Sequence, residues 1–119
     1  MKLAVSSQGG SLQSPLEPRF GRAQCFILLD TETGAVSVVD NSVNVNAAQG
    51  AGIQTAKRIV ELGADALIAG HVGPKAFSTL QAGGIRIYLG ASGTVAEAIE
   101  QFKAGKLEAA SSADVDGHW

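Results

Sequence analysis

Short apolar runs that end in loops of small residues, and loops that lead directly into amphipathic helices, restrict this chain to very few folds. The clearest case is Ala66-Leu67-Ile68-Ala69, continuous rather than alternating, the pattern of a parallel strand buried on both faces. The loop Gly70-His71-Val72-Gly73 follows, and Pro74 is well suited to the first position of a helix. Ala76, Phe77 and Leu80 give that helix its inner face, and Gly83-Gly84 stops it. Ile85 to Leu89 is the next strand. Strands joined by a helical crossover must run parallel. The unit then repeats. Gly90-Ala91-Ser92-Gly93 leads into Thr94-Val95-Ala96-Glu97, which has the spacing of a capping box. Val95, Ala98, Ile99 and Phe102 form the stripe of that helix, and Gly105 ends it.

Upstream, Leu3 to Ser6 reads as a strand and Gly9 to Arg22 as a long loop with Pro15 and Pro18. Cys25–Asp30 and Ala35–Asp40 are strands of a hairpin turned at Thr31-Glu32-Thr33-Gly34, with Gly34 where positive φ is wanted. Asn41 to Gly52 has no strand period. Ile53, Ala56, Ile59 and Val60 then fall at helical spacing, closed by Gly63. Strand, hairpin and two βα units predict an α/β fold with a mixed sheet, its first strand beside the parallel pair. At 119 residues the chain has room for one core, so a single domain is expected over 1–107, with 108–119 a small, acidic, mobile tail.

Several function classes fall away. A net charge of −2 gives no field to recruit nucleic acid or an anionic membrane, and base-stacking aromatics are scarce. No segment approaches the ~20 apolar residues of a membrane span. The first strand runs into polar Gln8-Gly9-Gly10, too short for a secretory core, so the expected compartment is the cytoplasm. Cys25, the lone cysteine, sits in an apolar run and reads as a small buried residue. The strand Leu3–Ser6 lacks the carboxylates a two-metal nuclease needs. There is no phosphate-binding P-loop and no nucleophile elbow, and no catalytic constellation is complete. The expectation is a binding protein, not an enzyme.

Three loops leave the parallel strands at their carboxyl ends: Ser6 to Gly10, which includes Ser7; Gly70 to Gly73; and Gly90 to Gly93, which includes Ser92. Ligands of open α/β sheets bind at this edge. Helix N-termini there offer backbone N–H groups to anions, although glycines at such turns are also ordinary turn chemistry. His71 and Lys75 stand at the start of one helix, His71 being the one candidate metal ligand. Arg19 and Arg22, which carry forked donors for oxyanions, flank Phe20-Gly21. The stretch from Asn41 to Gly52 is expected to close over the same edge, bringing Asn41, Gly50 and Gly52 to it. Phe20 and Val72 are candidates for an apolar wall. The ligand this edge suits is compact and anionic.

Arg19-Phe20-Gly21-Arg22-Ala23, Gly50-Ala51-Gly52, Gly70-His71-Val72-Gly73-Pro74-Lys75-Ala76-Phe77, Ala82-Gly83-Gly84-Ile85 and Phe102-Lys103-Ala104-Gly105-Lys106-Leu107 occur in order along the chain. Together they resemble the dinitrogenase iron–molybdenum cofactor biosynthesis family, which includes NifX-like carriers and the carboxyl-terminal domain of NifB-like proteins. The resemblance implies a ribonuclease H-like mixed five-stranded sheet flanked by helices, and a role in holding metal–sulfur clusters. For a stand-alone domain of this size it implies a noncovalent molybdenum–copper–sulfide cluster, the alternative being an iron–molybdenum–sulfur precursor. Cluster donor and acceptor proteins would be the partners. The readings kept beside it are a regulatory or adaptor domain that binds a protein and a phosphate- or nucleotide-binding protein.

Overall fold

The computed structural model describes residues 1–42 and 51–111. Its strands are β1 (Lys2–Ser7), β2 (Cys25–Asp30), β3 (Val36–Asp40), β4 (Ala66–Ile68) and β5 (Arg86–Tyr88). They form one mixed sheet in the order β3-β2-β1-β4-β5. β2 lies antiparallel to β1 and to β3, whereas β1, β4 and β5 run parallel. The helices are α1 (Ala51–Glu61), α2 (Pro74–Ala82) and α3 (Val95–Lys103), with a 3-10 turn at Phe20–Arg22. This is the α/β class expected, with a topology consistent with a ribonuclease H-like sheet.

Strand alternation divides the core into two layers. Ala4, Phe26, Leu28, Leu67 and Ile87 point to the face covered by α1 and α2, where Ala56, Ile59, Phe77 and Leu80 meet them. Leu3, Val5, Ile27, Leu29 and Ile68 point the other way, onto Val95, Ala98 and Ile99 of α3. With both faces covered, the residues of β1 from Leu3 to Ser7 are all buried, hence the unbroken apolar run in the sequence.

Local signals behave as their chemistry requires. In the hairpin, Gly34 has φ 77° and its N–H donates to the carbonyl of Asp30, at 2.8 Å. The Asp30 carboxylate accepts from the N–H of Glu32 at 2.9 Å, and this bond, first among its causes, holds its pKa below the usual value. Thr94 caps α3 reciprocally. Its hydroxyl accepts from the N–H of Glu97 at 3.1 Å, while the Glu97 carboxylate accepts from the N–H of Thr94 at 3.0 Å. Thr94→Ala is expected to lower stability by about 1 kcal/mol, measured by urea denaturation. An unchanged midpoint would deny the cap a role in stability.

Two expectations shift. The chain does not leave the fold at 108, because the N–H of Ala110 donates to the carbonyl of Ile87 at 2.7 Å and Ala109 bridges to Tyr88. The outer edge of β5 presents backbone groups that need partners, and the segment after α3 supplies them. The long loop before β2 is also more ordered than its prolines imply. Leu16 is buried against the α3 layer and Phe20 against the α1/α2 layer, so the loop passes from one face of the sheet to the other.

Candidate functional site

That crossing takes place over the carboxyl ends of β1 and β4. The N–H of Glu17 donates to the carbonyl of Ser6 at 3.1 Å, and the buried hydroxyl of Ser6 donates to the carbonyl of Glu17 at 2.7 Å. One residue on, the carbonyl of Pro18 accepts from the N–H groups of both Gly70, at 3.1 Å, and His71, at 2.7 Å. The N–H of Phe20 then donates to the carbonyl of His71 at 3.1 Å, closing a parallel bridge between Arg19 and His71. The loop is thus stitched across the edge that an open crevice would have occupied.

This stitching itself demands glycine at position 70. A Cβ there would lie 2.8 Å from both the Cα and the carbonyl oxygen of Pro18, so only glycine lets the two backbones pass. The Gly90 loop is bonded to its neighbours at two points. The N–H of Gly90 donates to the carbonyl of Gly70 at 3.1 Å, and the backbone carbonyl of Ser92 accepts from Gln101 at 3.1 Å. At the start of α3, Val95 donates to Ser14 and Ala96 to Leu12, both at 2.9 Å, beside the capping box. A cap and a neighbouring loop therefore take the α3 N–H groups that were expected to face a ligand.

The start of α2 is built differently. Gly73 is its N-cap and makes no side-chain cap bond, Pro74 occupies the first turn, and that turn carries no acidic residue. Its positive end lies beside half-buried His71 and exposed Lys75. Arg19, exposed, is bridged to His71, and half-buried Arg22 follows one 3-10 turn later, its N–H donating to the carbonyl of Arg19 at 3.0 Å. The backbone thus sets Arg19 beside His71, with Arg22 in the following 3-10 turn and Lys75 in the first turn of α2. These are an imidazole, an ammonium and two guanidiniums, all suited to donating to anions.

The other candidates lie deeper. Phe20 and Val72 are buried in the core, Phe20 stacking at a tilt on Phe26 with ring centroids 5.6 Å apart. Both belong to the core layer under α1 and α2. Asn41 is buried and donates to the carbonyl of Ala23 at 2.9 Å and the hydroxyl of Thr55 at 3.2 Å, tying the end of β3 to α1. Ser7 is buried, its hydroxyl donating to the carbonyl of Gly9 at 2.5 Å. Gly52 sits half-buried near the start of α1, and Gly50 lies outside the described residues. The Cys25 thiol is buried and donates to the carbonyl of Gly9 at 3.0 Å. Burial pushes its pKa up, more than the Ser7 hydroxyl draws it down, which keeps it a neutral thiol near pH 7.

Sequence reasoning missed Glu17 and Pro18, the residues that carry the loop over the edge. A signal was present: Leu12, Leu16 and Phe20 recur every fourth residue, too regular for a solvated loop. Among the described residues no helix is long and apolar enough to cross a membrane.

Residues 1–105 match the family described as dinitrogenase iron-molybdenum cofactor. The chain is 38% identical to the orange protein of Desulfovibrio gigas, solved in its apo form. The two superpose with a TM-score of 0.92 over 96% of each. A NifB-assigned protein from Thermotoga is 40% identical over 98% of each chain, with a TM-score of 0.85. An uncharacterized protein of Methanocaldococcus jannaschii is 33% identical over 96 residues, covering 78% of this chain and 80% of the relative.

Proposed function

We propose, from the premise that this chain belongs to the dinitrogenase iron–molybdenum cofactor family, that it binds a metal–sulfur cluster noncovalently as carrier, store or assembly scaffold. The observation that carries the reading is the backbone bridge holding Arg19 against His71, beside an α2 start with no side-chain cap. The cargo is a polyanionic thiometallate, a molybdenum–copper sulfide before an iron–molybdenum–sulfur precursor. Its sulfides accept hydrogen bonds from guanidinium, imidazole and ammonium groups, and charge assistance strengthens each. Binding of this kind needs no thiolate, in keeping with a buried, protonated Cys25. No step of the proposed role requires a general base or a nucleophile, so the role is non-catalytic.

The test is to add tetrathiomolybdate and copper to the protein, then measure molybdenum and copper content and the visible spectrum. Stoichiometric metal with new charge-transfer bands is expected. His71→Ala and Lys75→Ala should each weaken retention about tenfold, the effect of losing roughly 1.4 kcal/mol of binding. Cys25→Ser should leave retention nearly intact. Loss of the cluster in the Cys25 variant alone would sink the noncovalent reading.

One observation favours the adaptor alternative. Val36 and Val38 of β3 are 45% and 49% exposed, on an edge strand. A protein that retains no metal would move attention to that surface.

A further inference from the structure

The cations at the proposed cluster site are accompanied by one acid that the binding reading does not use. Glu17 is nearly buried, its side chain only 11% exposed, on the loop that crosses the sheet edge. Its Oε2 accepts from the N–H of Arg19 at 2.9 Å and lies 3.6 Å from Arg19 Nε, while the Arg19 side chain is 53% exposed. The two contacts differ in kind. The first is a hydrogen bond that fixes the loop. The second exceeds the ~2.7–3.2 Å range of N–H···O hydrogen bonds, so it is an ion pair by attraction rather than a locked fork.

We infer that Glu17 is a built-in counter-ion for Arg19 that competes with the anionic cargo and sets how readily it is released. This rests on the cluster-binding reading of the same site and adds its regulation. A carboxylate this buried needs a positive partner, because an unpaired buried charge is costly. Among the described residues, Arg19 is that partner. When a polyanion arrives, the guanidinium must serve two anions at once. The cargo gains less from Arg19 than it would from an arginine with no carboxylate beside it. A carrier that has to hand its cargo on benefits from that weakening, and a pure store does not.

The backbone makes the competition local. Arg19 cannot move far from Glu17, because its N–H is bonded to that carboxylate and its flanks are tied to His71 through the carbonyls of Pro18 and His71. Glu17→Gln removes the charge and keeps an oxygen that can accept from the N–H of Arg19, so the loop keeps its anchor.

The experiment is a double-mutant cycle on the full chain: wild type, Glu17→Gln, Arg19→Gln and the double variant. Each is loaded with tetrathiomolybdate and copper, and the half-life of the visible bands is followed after dilution into a chelator. Glu17→Gln is expected to slow loss about tenfold, Arg19→Gln to speed it, and the Glu17 effect to shrink below twofold in the Arg19→Gln background. Unchanged or faster loss in Glu17→Gln overturns the inference. So does an equal Glu17 effect in both backgrounds, which would mean general charge rather than pairing. If the wild type holds no cluster, the reading of the site fails on its own. The counter-ion role is then judged with tetrathiomolybdate alone, by the ¹⁵N–¹H signal of Arg19 Nε. A larger anion-induced shift in Glu17→Gln than in wild type supports it, and equal shifts overturn it.

Discussion

Phe26→Ala is expected to cost about 3–5 kcal/mol, the range for emptying a buried aromatic site. Phe26 is fully buried in β2, next to the central strand, and packs on Phe20 with ring centroids 5.6 Å apart. The substitution loses the buried area of the ring and leaves a cavity under the 3-10 turn that carries Arg22. Domains of this size have only ~5–15 kcal/mol of stability in all, so the change consumes much of it. Urea denaturation measures it, as a fall in midpoint with the slope unchanged. A loss under about 1 kcal/mol would mean that Phe20 and Phe26 do not share one packed layer.

Gly70→Ala is expected to be the most damaging single change at the site, although alanine removes no functional group. The new Cβ would meet backbone atoms of Pro18 at 2.8 Å, and backbone cannot swing aside as a flexible side chain can. Either the loop over the edge or the end of β4 must shift, at an expected cost of about 1–3 kcal/mol. The shift falls on the two hydrogen bonds to the Pro18 carbonyl, and with them on the alignment of Arg19 with His71. Cluster retention should therefore fall more than in His71→Ala. Gly10→Ala is the control, because a Cβ there meets nothing closer than 3.7 Å and should be neutral within about 0.5 kcal/mol. Equal thermal midpoints for the two variants would show that the close approach at Gly70 is not maintained.

The residues of the candidate site can be named from the sequence, but the backbone that positions them cannot. His71 and Lys75 were identifiable because they follow a short apolar strand and flank the proline that opens a helix, all within ten residues of Ala66. Arg19 and Arg22 were named with less reason, since nothing local says which strand end their loop visits. The three loops looked equivalent, being small-residue segments after parallel strands. They are not. The N–H of Gly90 and the first N–H groups of α3 go to Gly70, Ser14 and Leu12, partners distant in sequence. Glycine has the same appearance in a string whether it admits a ligand, a positive φ or another backbone. Here Gly70 admits Pro18 and Gly93 takes a φ of 87°.

The sequence by itself determined the elements and their order. Continuous apolar runs, an apolar period of 3.6, a hairpin glycine, a capping Thr94 and helix-ending glycines act over a few residues, so their consequences are written where they occur. It also determined that β4 and β5 run parallel, because a helix must lie between them. Only the tertiary structure decided that the loop from Gln8 to Gln24 crosses the carboxyl edge, burying Glu17 there, and that Ser14 and Leu12 take the first N–H groups of α3. Those outcomes depend on which distant backbone groups satisfy one another. Every buried N–H and C=O must find a partner, but the identity of that partner is settled only when the two layers close on the sheet.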